Sequence, residues 1–205
     1  MGPLTLVIDS ATPACSVALL DGDTVVAEAH EVVGRGHAER LVPMIDALLS
    51  GRRPGAILVD CGPGSFTGVR VGLAAAHGMR IGWGVPLAGF SSMSLLAAAA
   101  GREPGAAVGV ALDGGHGQVF VQSFGDDPLR PLDRLASLAP SEAALQVTAP
   151  LVVGSAAAAL VGQRGWGEWR DALPRAADAA RLPAPLRTLD PKPIYGRAPD
   201  AKVAQ

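Results

Sequence analysis

The chain has little of several features that mark particular protein classes. Its 205 residues include 17 Lys and Arg against 19 Asp and Glu, so no basic surplus favours binding to a nucleic-acid backbone. Two cysteines, Cys15 and Cys61, are too few for a disulfide framework and lie in apolar runs, as buried free thiols do. No apolar run reaches the roughly 18 residues of a membrane span, and no secretion signal opens the sequence. We therefore expect a cytoplasmic protein, off the membrane, that contacts nucleic acid only indirectly.

The four histidines do not form a metal-binding motif. His30, His37, His77 and His116 show neither His-x-x-x-His nor His-Glu-x-x-His spacing, so we expect no metal and no other cofactor. A thiol nucleophile at Cys61, served by His37 or His116, is a weaker alternative. A cysteine that ends an apolar strand is usually a core residue.

Two hairpins with the same layout indicate a duplicated α/β fold. In each, an apolar strand ends in an aspartate, a short turn follows, and the second strand closes on an acidic turn. The strand pairs are Leu4–Ile8 with Cys15–Leu20, and Val108–Leu112 with Val119–Phe124. A boundary is predicted at Gly101–Gly105, dividing the chain into residues 1–103 and 104–205. From Pro183 onward, five prolines in 23 residues predict an irregular tail.

Two helices are predicted in the first lobe, at His37–Leu49 and at about Thr67–Trp83. The second carries Gly72 and Gly78 in its interior, and each glycine costs a helix about 1 kcal/mol relative to alanine. Close approach of another helix along the small-residue side explains this cost best. Packing of the same side on the chain's own sheet is the alternative.

The stretch Cys61–Arg80 looks like a phosphate-binding loop that enters a helix. A strand, the turn Gly62-Pro-Gly-Ser65 and a helix follow one another, an arrangement in which backbone N–H groups hold anions. However, Gly68-Val-Arg70 stands where a Walker A loop requires Gly-Lys-Ser/Thr. We favour a tight turn whose helix is capped by Ser65 or Thr67, with weak anion binding as the alternative.

Asp9 and Asp113 stand at equivalent strand ends in the two hairpins. Aspartates so placed can hold magnesium or water at nucleotide phosphates. The turn after Asp9 lacks a glycine for close approach of a phosphate, so a structural turn role is preferred. The residues of this candidate nucleotide or anion site, vestigial at most, are Asp9, Thr12, Gly62, Gly64, Ser65 and Asp113.

Several of these motifs together resemble the bacterial TsaB family, also called YeaZ. They are Ile8–Thr12 with Cys15–Leu19, His37 with Leu41–Leu49, Gly62–Arg70, Asp113 with Gly117–Phe120, and Pro193–Arg197. The resemblance spans nearly the whole chain and is weak from about residue 125 to residue 190. It implies a two-lobed α/β fold of the actin, sugar-kinase and Hsp70 type, which is a duplicated ribonuclease H-like fold.

The same resemblance implies a non-catalytic partner in forming N6-threonylcarbamoyladenosine (t6A37) on tRNA. In that family the catalytic work belongs to a paralogous partner, TsaD, and an ATPase, TsaE, joins the pair. Without TsaD, the proteins form homodimers, and both kinds of pairing use the first two helices. For this chain, the hypothesis assigns the following residues to the interface: His37, Arg40, Leu41, Met44, Ile45, Leu48, Gly68, Val69, Gly72, Leu73, Ala75, Ala76 and Met79.

Two other functions stay open. One is an autonomous ATPase or phosphotransferase of the actin-like class that uses Asp9 and Asp113. The other, less favoured, is a peptidase of the M22 glycoprotease type, for which the sequence offers neither a nucleophile nor a metal constellation.

Overall fold

The first sheet consists of five strands from residues 5–90. The computed structural model describes residues 3–101, 103–125 and 128–196. The strands are β1 (Thr5–Asp9), β2 (Ala14–Asp21), β3 (Thr24–Val32), β4 (Ala56–Asp60) and β5 (Leu87–Phe90), in the order β3-β2-β1-β4-β5. The first three form an antiparallel meander, whereas β4 pairs in parallel with β1 and β5 in parallel with β4. The central strands are buried on both faces, which explains why they read as continuous apolar runs.

Two helices, α1 (His37–Leu49) and α2 (Phe66–Trp83), cover one face of this sheet. The N-cap of α2 is Ser65, whose Oγ accepts a hydrogen bond from the Gly68 N–H at 3.3 Å. The helix ends at Gly84, which adopts the left-handed conformation that glycine tolerates. The predicted cap and the predicted extent of both helices are confirmed to within a residue.

The other face of the first sheet is covered by two segments that are far apart in sequence. One is α3 (Ser92–Ala99), and the other is a 3₁₀ segment, Ala176–Arg181. Together they bury the following residues: Val7, Ala18, Leu20, Leu58, Phe90, Leu95, Ala176, Ala179 and Leu182. The backbone N–H of Ala176 also donates to Ser16 Oγ at 2.9 Å, which ties the late segment to β2.

Within the described residues, the second sheet has six strands and repeats the hairpin of the first. Its strands are β6 (Val108–Gly115), β7 (Gln118–Gly125), β8 (Arg130–Pro131), β9 (Ala136–Leu138), β10 (Leu151–Val153) and β11 (Glu168–Arg170). β6 and β7 form the antiparallel hairpin, and β10 pairs in parallel with β6. The predicted α/β class and the duplicated hairpin are confirmed.

The helices of the second lobe are α4 (Pro140–Gln146) and α5 (Ala157–Arg164). They lie against one face of the second sheet and share a core with β6, β7 and β10. On the other face, α3 contributes Met93, Leu96 and Ala97 to the core of the second lobe. Because α3 contacts both cores, the boundary at Gly101–Gly105 stays a prediction.

The segment after Pro183 is docked on the first lobe as far as the structure describes it. It forms a short 3₁₀ segment, Ala184–Arg187. Leu189 and Gly89 of β5 then exchange two backbone hydrogen bonds, with N···O distances of 2.7 and 3.0 Å. The N–H of Ile194 donates to Cys61 O at 2.7 Å. The tail is thus irregular but held, and residues 197–205 lie outside the described part of the chain.

None of the helices in the described residues combines the length and the apolar character needed to cross a bilayer.

Candidate functional site

A cavity of about 1070 Å³ lies where the first lobe, the second lobe and the tail meet. The first lobe contributes the turn after β1, the turn before α2 and the start of α2. The second lobe contributes the β6–β7 turn, and the tail contributes its last described residues. The polar lining residues, apart from glycines, are Thr12, Arg35, Ser65, Arg70, Asp113, His116, Ser155 and Tyr195.

An aromatic and cationic cluster stands at this cavity. The Arg70 guanidinium lies 3.3 Å from the ring centroid of Phe66 and donates a hydrogen bond to Tyr195 Oη at 2.9 Å. The Phe66 and Tyr195 rings are 6.5 Å apart between centroids, and Phe66 remains 64% exposed. A cation held over an aromatic face is attracted by the ring quadrupole, so Arg70 fastens the tail to the start of α2.

Of the predicted anion-site residues, the structure brings four to the cavity: Thr12, Gly64, Ser65 and Asp113. Asp9 and Gly62 lie behind it, within the core. The backbone N–H groups of the turn are largely used within the chain. That of Gly62 donates to Asp60 Oδ1 at 2.7 Å, and that of Ser65 donates to Ala11 O at 2.6 Å.

Asp9 pairs with Asp60, not with Asp113. β1 and β4 are parallel neighbours, so the aspartates that end them meet at the same edge of the sheet. Burial, together with the negative charge of Asp60, raises the pKa of Asp9 well above its usual range. Burial raises the pKa of Asp60 to about 6 against the opposing effect of its hydrogen-bond donors. Asp113 is instead exposed, and its Oδ1 accepts the Gly115 N–H at 2.8 Å in a local turn.

Sequence reasoning missed Asp60, although a signal was present. The strand Ala56–Asp60 ends in an aspartate just as Thr5–Asp9 does, and parallel pairing of two such strands brings their ends together. The cavity residues Arg35, His116 and Tyr195 were also missed, because only the docking of the tail and the second hairpin brings them to one place.

Most of the predicted partner-interface residues belong to the core of the first lobe. The buried ones are His37, Leu41, Met44, Ile45, Leu48, Gly68, Val69, Gly72, Leu73 and Ala76. Ala75 and Met79 are partly buried against the same core. Arg40 is exposed and forms an ion pair with Glu31. These side chains therefore pack on the chain's own sheet, while the opposite sides of α1 and α2 face outward.

Glycine occurs at the positions of α2 for two different reasons. A Cβ on Gly68 would overlap the carbonyl oxygen of Ser10, and a Cβ on Gly72 would lie 2.5 Å from Ser10 Oγ. Their small size is therefore required by the turn after β1, and the explanation by a neighbouring helix was wrong for both. Around Gly78 and Gly82, by contrast, a Cβ would find nothing within 4 Å.

Both thiols are core groups. Cys15 and Cys61 are fully buried, and burial raises their pKa values to about 11 and about 12. A neutral, inaccessible thiol is a poor nucleophile. The His37 imidazole Nε2 lies 2.8 Å from Thr12 O and 3.2 Å from Ala14 O, so it braces the first hairpin and does not serve Cys61. No group of three or more metal-ligating side chains occurs in the described residues.

Comparison with known proteins identifies the family of this chain. The model of the family described as TsaD, tRNA N6-adenosine threonylcarbamoyltransferase, matches residues 28–155. The Escherichia coli protein named tRNA threonylcarbamoyladenosine biosynthesis protein TsaB is 39% identical over 130 residues, which are 60% of this chain and 55% of that protein. The Haemophilus influenzae protein of the same name is 42% identical over 101 residues, 46% of this chain and 42% of that protein. The chain belongs to the TsaB/YeaZ family.

Two solved structures of the YeaZ group have the same two-lobed fold. The structure titled YeaZ from Pseudomonas aeruginosa has a TM-score of 0.77 at 27% identity and covers 95% of this chain and 100% of that one. A second structure from that organism, titled an uncharacterized protein with similarity to peptidase YEAZ, has a TM-score of 0.82 at 28% identity and covers 96% and 100%. In sequence, the chain spans about half the length of the curated relatives it matches. Within the YeaZ motif at the end of the chain, Arg197 lies outside the described residues.

Proposed function

We propose that this chain is a non-catalytic subunit that supports a TsaD-type enzyme in forming N6-threonylcarbamoyladenosine on tRNA. It acts in the cytoplasm, pairs with the enzyme through α1 and α2, forms a homodimer in its absence, and is joined by a TsaE-type ATPase. Contact with tRNA is indirect. The names of the TsaB relatives support the pathway, and the outer side of α2 supports the role within it.

The observation that carries the proposal is a stripe of small and apolar residues along the outer side of α2. We call Ala74, Gly78, Ile81 and Gly82 the exposed stripe. At 100° per residue, the four lie within about 100° of helix circumference. Ile81 is 82% exposed, and Val42 on the adjacent α1 is 51% exposed. An exposed apolar surface on a helix pair is typical of a protein interface.

The two exposed glycines strengthen the argument. Each costs the helix about 1 kcal/mol relative to alanine. Unlike Gly68 and Gly72, neither Gly78 nor Gly82 receives a close neighbour from the described residues. A partner helix that approaches the backbone at these positions offsets the cost, because small residues permit a short distance between helix axes.

A non-catalytic role agrees with the chemistry of the buried groups. Cys15, Cys61, Asp9 and Asp60 are all shielded from solvent, so no substrate reaches them in this conformation. Asp113 is exposed, but its carboxylate forms part of the β6–β7 turn. These observations support assigning catalysis to the partner.

The test is co-purification with the TsaD-type protein of the same organism. Gly78→Arg places a long charged side chain on the exposed stripe, and we expect it to weaken binding at least tenfold. Gly162→Arg is the matched control, because Gly162 lies on α5 and also has open space around its Cβ position. Binding of the Gly78→Arg variant at the strength of the Gly162→Arg variant, with both folded, rejects the interface.

A second candidate, an ATPase or phosphotransferase, is favoured by the cavity between the lobes, whose lining includes Arg35, Arg70 and Asp113. Calorimetry with ATP and magnesium on the isolated chain separates the two functions. Tight binding that Asp113→Asn abolishes and Gly78→Arg leaves intact supports this candidate. Its absence leaves the scaffold role as the better explanation.

A further inference from the structure

The carboxyl groups of Asp9 and Asp60 form a pair inside the first lobe. Both residues are at most 2% exposed. They end parallel neighbouring strands, and their side chains are within hydrogen-bonding reach of each other. Two carboxylates so close in a buried site cannot both carry a charge, so the pair retains a proton.

The hydrogen-bond partners differ between the two aspartates. Asp60 Oδ1 accepts the Gly62 N–H at 2.7 Å, and Asp60 Oδ2 accepts the Ser92 hydroxyl at 2.6 Å. Asp9 Oδ1 accepts the Ala11 N–H at 3.0 Å. Asp9 Oδ2 is buried and receives no hydrogen bond from any donor in the described residues. A buried oxygen without a donor, on a carboxyl group within hydrogen-bonding reach of another carboxyl group, is satisfied when it carries the hydrogen itself.

We infer that Asp9 holds the shared proton and donates it to an ionised Asp60, and that loss of this proton as the pH rises loosens the packing of α2 on the first sheet. The Asp9 proton then passes to solvent and leaves two adjacent buried negative charges. This inference concerns the folded chain alone and does not depend on the proposed function.

The connection to α2 runs through the turn after β1. The turn is shaped by the Ala11 N–H bound to Asp9. Its Ser10 Oγ donates to Gly68 O at 2.9 Å, and its Ala11 carbonyl accepts the Ser65 N–H. These contacts seat the first turns of α2. Repulsion between the two carboxylates acts directly on this turn.

Other titratable groups near the pair do not hide its effect. Cys15 on β2 interacts electrostatically with Asp9, and Cys61 after β4 interacts electrostatically with Asp60. Their raised pKa values of about 11 and about 12 keep both thiols neutral. Burial, and then the positive charge of Arg175, lower the pKa of His30 on β3. Its contribution is the same in variants of the aspartates and disappears from the difference between them.

The sign of the pH dependence follows from the raised pKa of Asp9. The folded state retains this proton above the pH at which the unfolded chain releases it, so stability falls as pH rises toward the folded pKa. Between pH 6 and pH 8, the unfolding equilibrium constant of the wild type, relative to Asp9→Asn, should rise toward tenfold per pH unit until Asp9 ionises. The amide introduced by Asp9→Asn offers the same hydrogen bond at every pH and removes this dependence.

The experiment is urea unfolding of the full chain at several pH values, for the wild type, Asp9→Asn and Asp60→Asn. We expect Asp60→Asn to be the less stable variant at pH 7, because its amide must replace a carboxylate that accepts two short hydrogen bonds. Equal pH slopes for the wild type and Asp9→Asn overturn the inference.

Infrared spectroscopy provides a second measurement that needs no unfolding. The carbonyl band of a protonated carboxyl group should be present in the wild type at pH 7 and should shift when the protein is transferred to heavy water. It should vanish in Asp9→Asn. A wild type without the band, or a band that persists in Asp9→Asn and vanishes in Asp60→Asn, refutes the assignment even if one variant fails to fold.

Discussion

Adding one methyl group at two glycines of the same helix should change stability in opposite directions. Gly72→Ala and Gly78→Ala both improve helix propensity by about 1 kcal/mol. At Gly78 the new Cβ meets nothing within 4 Å, so the whole gain remains. At Gly72 the new Cβ lies 2.5 Å from Ser10 Oγ and 3.7 Å from Ile8 Cγ2, in a packed core.

The cost at Gly72 follows from what Ser10 must do. Its hydroxyl has to move, which weakens its 2.9 Å hydrogen bond to Gly68 O. Overpacking a core costs about 1–3 kcal/mol, and a lost hydrogen bond costs about 0.5–1.5 kcal/mol. After the propensity gain, Gly72→Ala should destabilise by about 0.5–3.5 kcal/mol. The two variants should therefore differ by about 1.5–4.5 kcal/mol in free energy of unfolding.

Urea unfolding of the isolated chain measures both effects, provided that the slope with denaturant is unchanged. Gly162→Ala on α5 is the matched control, because Gly162 also has open space around it and should gain about as much as Gly78→Ala. The measurement is repeated at several protein concentrations to separate self-association from folding. If Gly72→Ala proves as stable as Gly78→Ala, the tight seating of α2 on Ser10 is mistaken.

Three shorter predictions concern the late segment and the thiols. Leu182→Ala should destabilise by about 2–5 kcal/mol in urea unfolding, because Leu182 is 1% exposed beneath the first sheet, and a change below about 1 kcal/mol contradicts that packing. Cys15 and Cys61 should react with a thiol reagent only at the rate of unfolding, because burial raises the pKa of both thiols. Rapid labelling of the native protein would argue against the burial of these thiols. Tyr195→Ala should raise protease cleavage near residue 195 relative to Tyr195→Phe, which keeps the ring contact with Arg70 but loses the hydroxyl.

Local patterns predicted the elements well where the period and the caps agreed. The stripe of Leu41, Ile45 and Leu48 indicated the extent of α1, and Ser65 marked the start of α2. The short strand Glu168–Arg170 was missed, because three exposed residues carry no period.

The candidate site was harder to predict because it depends on contacts between distant parts of the chain. Asp9 was noticed as a strand end, but its partner could be named only once β1 and β4 were known to be parallel neighbours. The interface prediction chose the apolar sides of α1 and α2, which the chain's own sheet needs. A side chain suited to a core and one suited to an interface look alike in sequence, and only burial separates Gly72 from Gly78.

The packing of Ala176–Arg181 on the first sheet has a consequence for how the protein is made. Val7 and Leu20 are covered in part by Ala179 and Leu182, which are synthesised much later because they lie far along the chain from these strands. Until then, part of one apolar face of the first sheet lacks its partner. A chain that stops before about residue 175 should therefore aggregate, and chaperones should hold the nascent first lobe until the late segment arrives.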